Sequence, residues 1–280
     1  MNDTILVVGG TGTVGTPLVR ELVGRGAAVR VASRRPTDTS DAKVQTVRLD
    51  LSDPASFDAA LDGVSSAYVL SPAGSPDIFG LLNPLLETAG ARGIKVVLQS
   101  AMGVDADDNI PFRRLELGLE RSGGRYVILR PNWFTDNLLT YWARDVREGE
   151  IKVPAGEGKT SFIDARDIAA AGAAALTTDR FDGQAFNLTG PEALSYGQVA
   201  ELVTQVTGRA VGYRSIDDEE FIARRVEDGF AEPYARMLAA IFYPVREGWT
   251  ATVTDAVKTL TGAEPRTVSA FVRENARRLA

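Results

Sequence analysis

The chain has 280 residues, 44% of them hydrophobic, which suits one large body or a main domain with a smaller appendage. Its 31 basic and 37 acidic residues give a formal net charge of −6, a poor balance for neutralising the phosphates of a nucleic acid, so no nucleic-acid partner is expected. It contains no Cys and no His, which excludes disulfides, a thiolate nucleophile, an imidazole base, a Ser-His-Asp triad and an ordinary zinc site, and no metal is expected.

The N-terminal Met1-Asn2-Asp3 lacks a basic region, and the apolar stretch at 5–8 is too short for a secretory signal. No apolar run approaches the roughly 20 residues of a membrane helix. A cytoplasmic protein without a membrane partner is the expectation. Strands are predicted at 4–8, 28–33, 44–49, 67–70, 95–99 and 126–129. They alternate with helices at 16–24, 53–61, 78–92 and 113–122. The first helix carries Leu18, Val19, Leu22 and Val23 at helical spacing, and the second has Ser52 or Asp53 as N-cap with Pro54 in its first turn. This alternation predicts parallel βαβ units with right-handed crossovers, a Rossmann-type doubly wound sheet. Beyond Pro131 the pattern shifts to a helix at 133–148, a glycine-bearing loop at 149–159 and a short strand at 161–163. An alanine-rich helix at 164–176 and a strand at 185–188 follow. A helix at 195–207 has Ser195 as N-cap. A mostly helical remainder runs from Val211 to a last helix at 268–279. The expected organisation is a dinucleotide-binding body over 1–131, joined again by 160–188. A smaller, mostly helical substrate lobe would be built from 132–159 and 189–280.

The segment Gly9-Gly10-Thr11-Gly12-Thr13-Val14-Gly15 fits both G-x-G-x-x-G and G-x-x-G-x-x-G. It follows the first strand and opens the first helix, the context in which such a turn approaches a pyrophosphate and offers helix N-terminal amides to it. About 20 residues on, where an acid would select NAD, the second strand ends in Ser33-Arg34-Arg35. A guanidinium fork suits a 2′-phosphate, so NADPH is expected ahead of NADH. Asp50-Leu51, ending the third strand, could cup the adenine or simply lead into a helix-capping turn.

The chain resembles the NmrA-like atypical short-chain dehydrogenase/reductases, which include triphenylmethane reductase and quinone reductase relatives. The resemblance spans nearly the whole chain. It is carried by the glycine turn, by Ser100 after the fifth strand, by Glu116 with Ser122-Gly123, and by Leu129-Arg130-Pro131-Asn132-Trp133-Phe134 with Asn137. It continues through Phe162-Ile163-Asp164-Ala165-Arg166-Asp167-Ile168-Ala169 and Leu188-Thr189-Gly190-Pro191-Glu192-Ala193-Leu194-Ser195. It implies that Gly9, Thr11, Gly12, Thr13, Val14 and Gly15 meet the pyrophosphate, that Ser33 and Arg34 meet the 2′-phosphate, and that Ser71-Pro72 lies along the adenosine. It places Ser100 and Pro131-Asn132 by the nicotinamide, and Trp133, Phe134, Asn137 and Phe162 around a small-molecule substrate of aromatic or quinone type. A homodimer is left open.

One family feature is missing. The Tyr-x-x-x-Lys pair of ordinary short-chain dehydrogenases cannot be formed, because no tyrosine lies between Tyr68 and Tyr126 and no lysine between Lys95 and Lys152. By alignment from Glu116 the lysine position holds Phe112, and the tyrosine position falls near Asp108. Hydride transfer needs positioned carbons more than a strong acid. Asn132 or Ser100 could hydrogen-bond a developing oxyanion, and Asp108 is the acid to consider. An NADPH-dependent reductase of a quinone, aromatic compound, enone or flavin is one expectation. A non-catalytic NADP(H)-binding redox sensor and an isomerase or cyclase on the same scaffold are the alternatives.

Overall fold

The computed structural model describes residues 4–37, 39, 41–75 and 77–280, and divides into two units. The first takes Met1–Pro131, Ala165–Leu188 and Ala256–Gly262; the second takes Asn132–Asp164, Thr189–Asp255 and Ala263–Ala280. Residues 256–262, placed in the lobe by sequence, thus belong to the first unit, and the chain returns to that unit at 165 rather than 160.

In the first unit seven strands form one parallel sheet: β1 (Thr4–Val8), β2 (Ala28–Ser33), β3 (Val44–Arg48), β4 (Val64–Val69), β5 (Lys95–Gln99), β6 (Tyr126–Pro131) and β9 (Gln184–Leu188), in the order β3-β2-β1-β4-β5-β6-β9. The central strands are near-continuous apolar runs because helices cover a parallel sheet on both faces; Leu6, Val7, Val97 and Leu98 are fully enclosed. Helices α1 (Gly15–Gly24), α2 (Phe57–Leu61), α3 (Ile78–Ala91), α4 (Pro111–Arg121), α6 (Ala165–Leu176) and α11 (Ala256–Thr261) complete this unit. The small residues of α6 allow close approach: a Cβ on Gly172 would fall 2.7 Å from the Tyr68 ring. Strand order reverses between β1 and β4, which opens a crevice at the carboxyl ends of the strands, the usual place for a ligand in such sheets.

The second unit carries two small pairings. The parallel pair joins β7 (Glu150–Val153) to β11 (Gly212–Ser215), and the antiparallel pair joins β8 (Lys159–Thr160) to β10 (Leu194–Ser195). Its helices are α5 (Ala143–Glu148), α7 (Tyr196–Thr207), α8 (Asp218–Glu227), α9 (Glu232–Ala240), α10 (Tyr243–Arg246), α12 (Val268–Glu274) and α13 (Ala276–Leu279). Ser195 caps α7 as expected, and Gln198 reciprocates in a capping box. Four expectations are corrected. The helix at 133–148 is a 3₁₀ turn, Thr135–Leu139, then α5, because Thr140 leaves helical geometry (φ −125°, ψ −94°). The loop at 149–159 contains β7, and the strand expected at 161–163 is instead β8 at Lys159–Thr160. The last helix breaks at Asn275, whose side-chain amide donates to Phe271 O at 2.9 Å. No described helix is long and apolar enough to cross a membrane.

Candidate functional site

Six neighbouring strands of the first unit end in residues that sequence assigned to the cofactor: Asp50 after β3, Ser33-Arg34 at β2, the glycine turn after β1, Ser71-Pro72 after β4, Ser100 after β5 and Pro131 at β6. Parallel strands put all of these on one edge.

The glycine turn is built by its own backbone. Gly9 adopts φ +73°, accessible to glycine at no steric cost, and its carbonyl accepts from Gly12 N at 2.9 Å. A Cβ on Gly15 would stand 2.1 Å from Gly9 O and 2.6 Å from Gly10 Cα, so this glycine lets the first turn of α1 sit against the loop. A Cβ on Gly12 would meet only Gly9 O, at 3.3 Å, with nothing else within 4 Å. Protein packing therefore explains Gly15 and does not explain Gly12. Thr11, Gly12 and Thr13 are exposed. Among the described residues the amides of Thr11, Thr13, Val14 and Gly15 have no hydrogen-bond acceptor. Val14, which precedes α1, gives no side-chain cap. Free amides at a helix N-terminus beside an open glycine fit an anionic pyrophosphate.

Arg34 is exposed and Ser33 half-buried, with Ser33 O accepting from Leu49 N at 2.9 Å to join β2 to the end of β3. Asp50 Oδ1 accepts from Ser52 Oγ at 2.7 Å and Ser52 N at 3.1 Å. These two bonds, with the Arg48 and Arg34 charges, hold its carboxyl below the usual range. Leu51 packs on the unit's apolar core. Leu70 underlies the turn, 2.9 Å from an ideal Cβ on Gly9. Ser71 Oγ, the next residue, donates to Pro72 O at 3.2 Å.

Ser100 is 4% exposed, and its hydroxyl has no hydrogen-bond partner. Its backbone is fixed, since Ser100 N donates to Leu129 O at 2.8 Å and Met102 N donates to Pro131 O at 3.1 Å. A buried hydroxyl without a partner is costly unless something else supplies one. Two candidate groups are otherwise occupied. Asp108 is exposed before α4 and accepts from Arg113 Nε at 3.3 Å, so its carboxylate is at the surface and already paired. Asn132, in the second unit, donates through Nδ2 to Ser161 Oγ and Thr250 O, both at 2.8 Å, while Oδ1 accepts from Trp133 N at 2.9 Å. Both its donors are occupied, so the oxyanion role expected of it is replaced by a structural one. Thr250 is a partner no local pattern announces.

The remaining second-unit residues divide by burial. Phe162 is 1% exposed and packs edge-on against Trp142 and Tyr196, so it belongs to the core and does not line a cleft; Trp142 is equally enclosed. Trp133 is half-buried against Phe242, with ring centroids 4.6 Å apart. Phe134 is half-buried and bridges to Ile163. Asn137 is half-buried, and its carbonyl accepts from Trp142 N at 2.8 Å. Glu116 pairs with Arg113 and Arg130 and not with Arg114, whose guanidinium instead lies 3.7 Å above the Phe79 ring. Phe112, at the position of the missing lysine, packs on the first unit's core.

A doubly wound parallel sheet with this glycine turn at its switch point defines a Rossmann-type, nicotinamide-dinucleotide-binding protein. More narrowly, the chain belongs to the NAD(P)H-binding family, whose model matches residues 9–179. It is 35% identical to the uncharacterized oxidoreductase YesF of Bacillus subtilis (strain 168), over 98% of this chain and 96% of that one. It is also 35% identical to the NAD(P)H azoreductase of Xenophilus azovorans, over 97% of this chain and 98% of that one. Its fold matches the NADPH-dependent quinone oxidoreductase QOR2 of Escherichia coli, solved with NADPH, at a TM-score of 0.84 and 23% identity, covering 96% of this chain and 99% of that one.

Proposed function

We propose that the chain is an NADPH-dependent reductase of planar conjugated acceptors, such as quinones, azo compounds, enones or flavins, working without a Tyr-Lys dyad. The observation that carries this reading is the row of strand ends with an open glycine turn after β1 and, two strands along, the buried, unpartnered Ser100 hydroxyl after β5. On this reading Thr11, Gly12, Thr13, Val14 and Gly15 bind the pyrophosphate by backbone amides. Arg34 binds the 2′-phosphate, with Ser33, Asp50 and Leu51 framing the adenosine from one side and Ser71-Pro72 from the other. Pro131 frames the nicotinamide at the end of β6. NADPH, when bound, supplies the hydride. Ser100 Oγ donates a hydrogen bond to a carbonyl oxygen at the reacting end, and solvent supplies the proton that completes reduction. The names of the azoreductase and quinone oxidoreductase relatives support this substrate class.

The test is oxidation of NADPH and NADH by the purified protein with quinones, an azo dye, an enone and free flavin. Turnover of at least one class with NADPH preferred, and its reduction at least about tenfold in Ser100→Ala, is the expected result. Tight NADPH binding with no acceptor reduced would favour instead a dinucleotide sensor, the reading that the missing dyad supports.

A further inference from the structure

Glu116 is completely buried in α4, out of reach of water that would solvate its charge. Arg130 compensates it with a two-pronged contact, Nε to Oε1 at 3.0 Å and Nη2 to Oε2 at 2.7 Å, and Arg113 Nη1 adds a third bond at 3.0 Å. Arg130 stands at the end of β6 and is itself 8% exposed. Its remaining arm, Nη1, donates to Asp105 Oδ2 at 2.6 Å. Asp105 lies in the 3₁₀ turn Val104–Ala106, directly after the loop that begins with Ser100. One guanidinium thus joins α4, the end of β6 and the far end of the Ser100 loop. The near end of that loop is already tied by Ser100 N to Leu129 O and Met102 N to Pro131 O.

A buried ion pair is a poor device for stability, because desolvation offsets much of the Coulomb gain and apolar residues of equal volume serve as well. The rigid fork of arginine fixes direction, which a point charge does not. We propose that Arg130 is a positioning residue: anchored by Glu116, it holds Asp105 and with it the 100–105 loop, so that the Ser100 hydroxyl is presented at a fixed place on the site edge. The proposal deepens the reductase reading and, in its catalytic consequence, rests on it.

Arg130→Met alone leaves the Glu116 carboxylate buried without its main partner and is expected to fold poorly. The informative variants are Arg130→Met/Glu116→Leu, which replaces the pair by apolar contact, and Arg130→Lys, which keeps the charge and loses the fork. In protein without cofactor, the Met102 amide should exchange with solvent at least about tenfold faster in both variants, while the Val31 amide in β2 keeps its protection. NADPH affinity should stay within about threefold. Single-turnover hydride transfer to a naphthoquinone should fall at least about tenfold, since a misplacement of about 1 Å can cost about a hundredfold. Unchanged Met102 exchange in either folded variant overturns the proposal, as does a full transfer rate in the folded double variant. If the unmodified protein reduces no acceptor, the reductase reading fails, and the exchange measurement still decides the positioning role.

Discussion

Gly12 and Gly15 lie three residues apart in one turn, yet substitution by alanine should act through different links of the chain from sequence to function. At Gly15 the new methyl would fall within 2.1–2.8 Å of three backbone atoms, Gly9 O, Gly10 Cα and Gly9 C. Backbone cannot swing aside as a flexible side chain can. Overpacking of this kind costs about 1–3 kcal/mol or more, set against a helix-propensity gain of roughly 0.5–1 kcal/mol and a total stability of about 5–15 kcal/mol. Contacts this short against backbone put the cost at the upper end, about 3 kcal/mol, for a net loss of about 2–2.5 kcal/mol; with about 2–4 °C lost per kcal/mol in a chain of this size, Tm should drop by about 4–10 °C. At Gly12 the methyl meets one atom, Gly9 O, at 3.3 Å, and the position does not need a positive φ. The fold should change by less than about 1 kcal/mol. That methyl would stand on the exposed turn where the free amides converge, so NADPH affinity should fall by at least about a hundredfold, roughly 2.7 kcal/mol. Thermal denaturation by circular dichroism, paired with calorimetric NADPH titration of each variant, reads both effects. Normal NADPH binding by Gly12→Ala, or an unchanged Tm for Gly15→Ala, would refute the division of roles.

Arg34→Glu should reverse or erase a preference for NADPH over NADH, because a charge-assisted bond to phosphate contributes about 1.5–3 kcal/mol, tenfold or more in affinity; equal affinities in the unmodified protein would remove the basis for this. A second expectation concerns alkaline stability. Tyr68 and Tyr196 are wholly enclosed, and desolvation raises both phenols above their ordinary value. The folded state therefore holds these protons more tightly than the unfolded chain does. Their contribution is fully present below about pH 10, where the unfolded tyrosines titrate, and is lost as pH climbs from there toward the folded values. Urea midpoints measured from about pH 8 to 11 should fall at the upper end, and Tyr196→Phe should show a shallower fall; an identical slope would count against burial as the cause.

The central strands of the first unit, β1, β5 and β6, were legible because each is a short apolar run, and because parallel strands buried on both faces need nothing more. The glycine turn was legible for the same reason: its signal lies within seven consecutive residues. The sequence failed where structure depends on distant partners. β7 was read as loop because its partner β11 lies some 60 residues on, and neither short segment has a pattern of its own. Asn132 looked like a free amide because Thr250, 118 residues away, is invisible from its surroundings. Phe162 looked like a cleft aromatic because composition cannot tell an enclosed ring from a half-exposed one; Trp133, which is half-buried, illustrates the other outcome. Arg130 and Glu116 stood in the segments that carry the family resemblance, but their pairing across 14 residues was not anticipated.

The loss of the dyad sets a chemical boundary that the residues present define. Where a lysine would stand, α4 turns Phe112 to the core, and one turn further it places Glu116 on Arg130. Asp108 is at the surface, paired with Arg113. On the proposed reading the polar group at the reacting end is the Ser100 hydroxyl, which is buried without a partner, can donate a hydrogen bond and is a very weak acid. Hydride delivered to a simple ketone leaves an alkoxide, a strong base that needs a proton as it forms. Hydride delivered to a quinone leaves a phenolate, whose charge spreads over the ring and whose conjugate acid titrates near the tyrosine value of about 10. One hydrogen bond and bulk water suffice for the second case and not for the first. Under the proposed reading, kcat/KM for a naphthoquinone should therefore exceed that for an aryl ketone of similar size by at least about a thousandfold, a barrier difference of about 4 kcal/mol. Steady-state NADPH oxidation with the two acceptors measures the ratio. Comparable rates would mean that an acid operates in this site after all, and the reading of a site that works with the Ser100 hydrogen bond and water alone would have to be withdrawn.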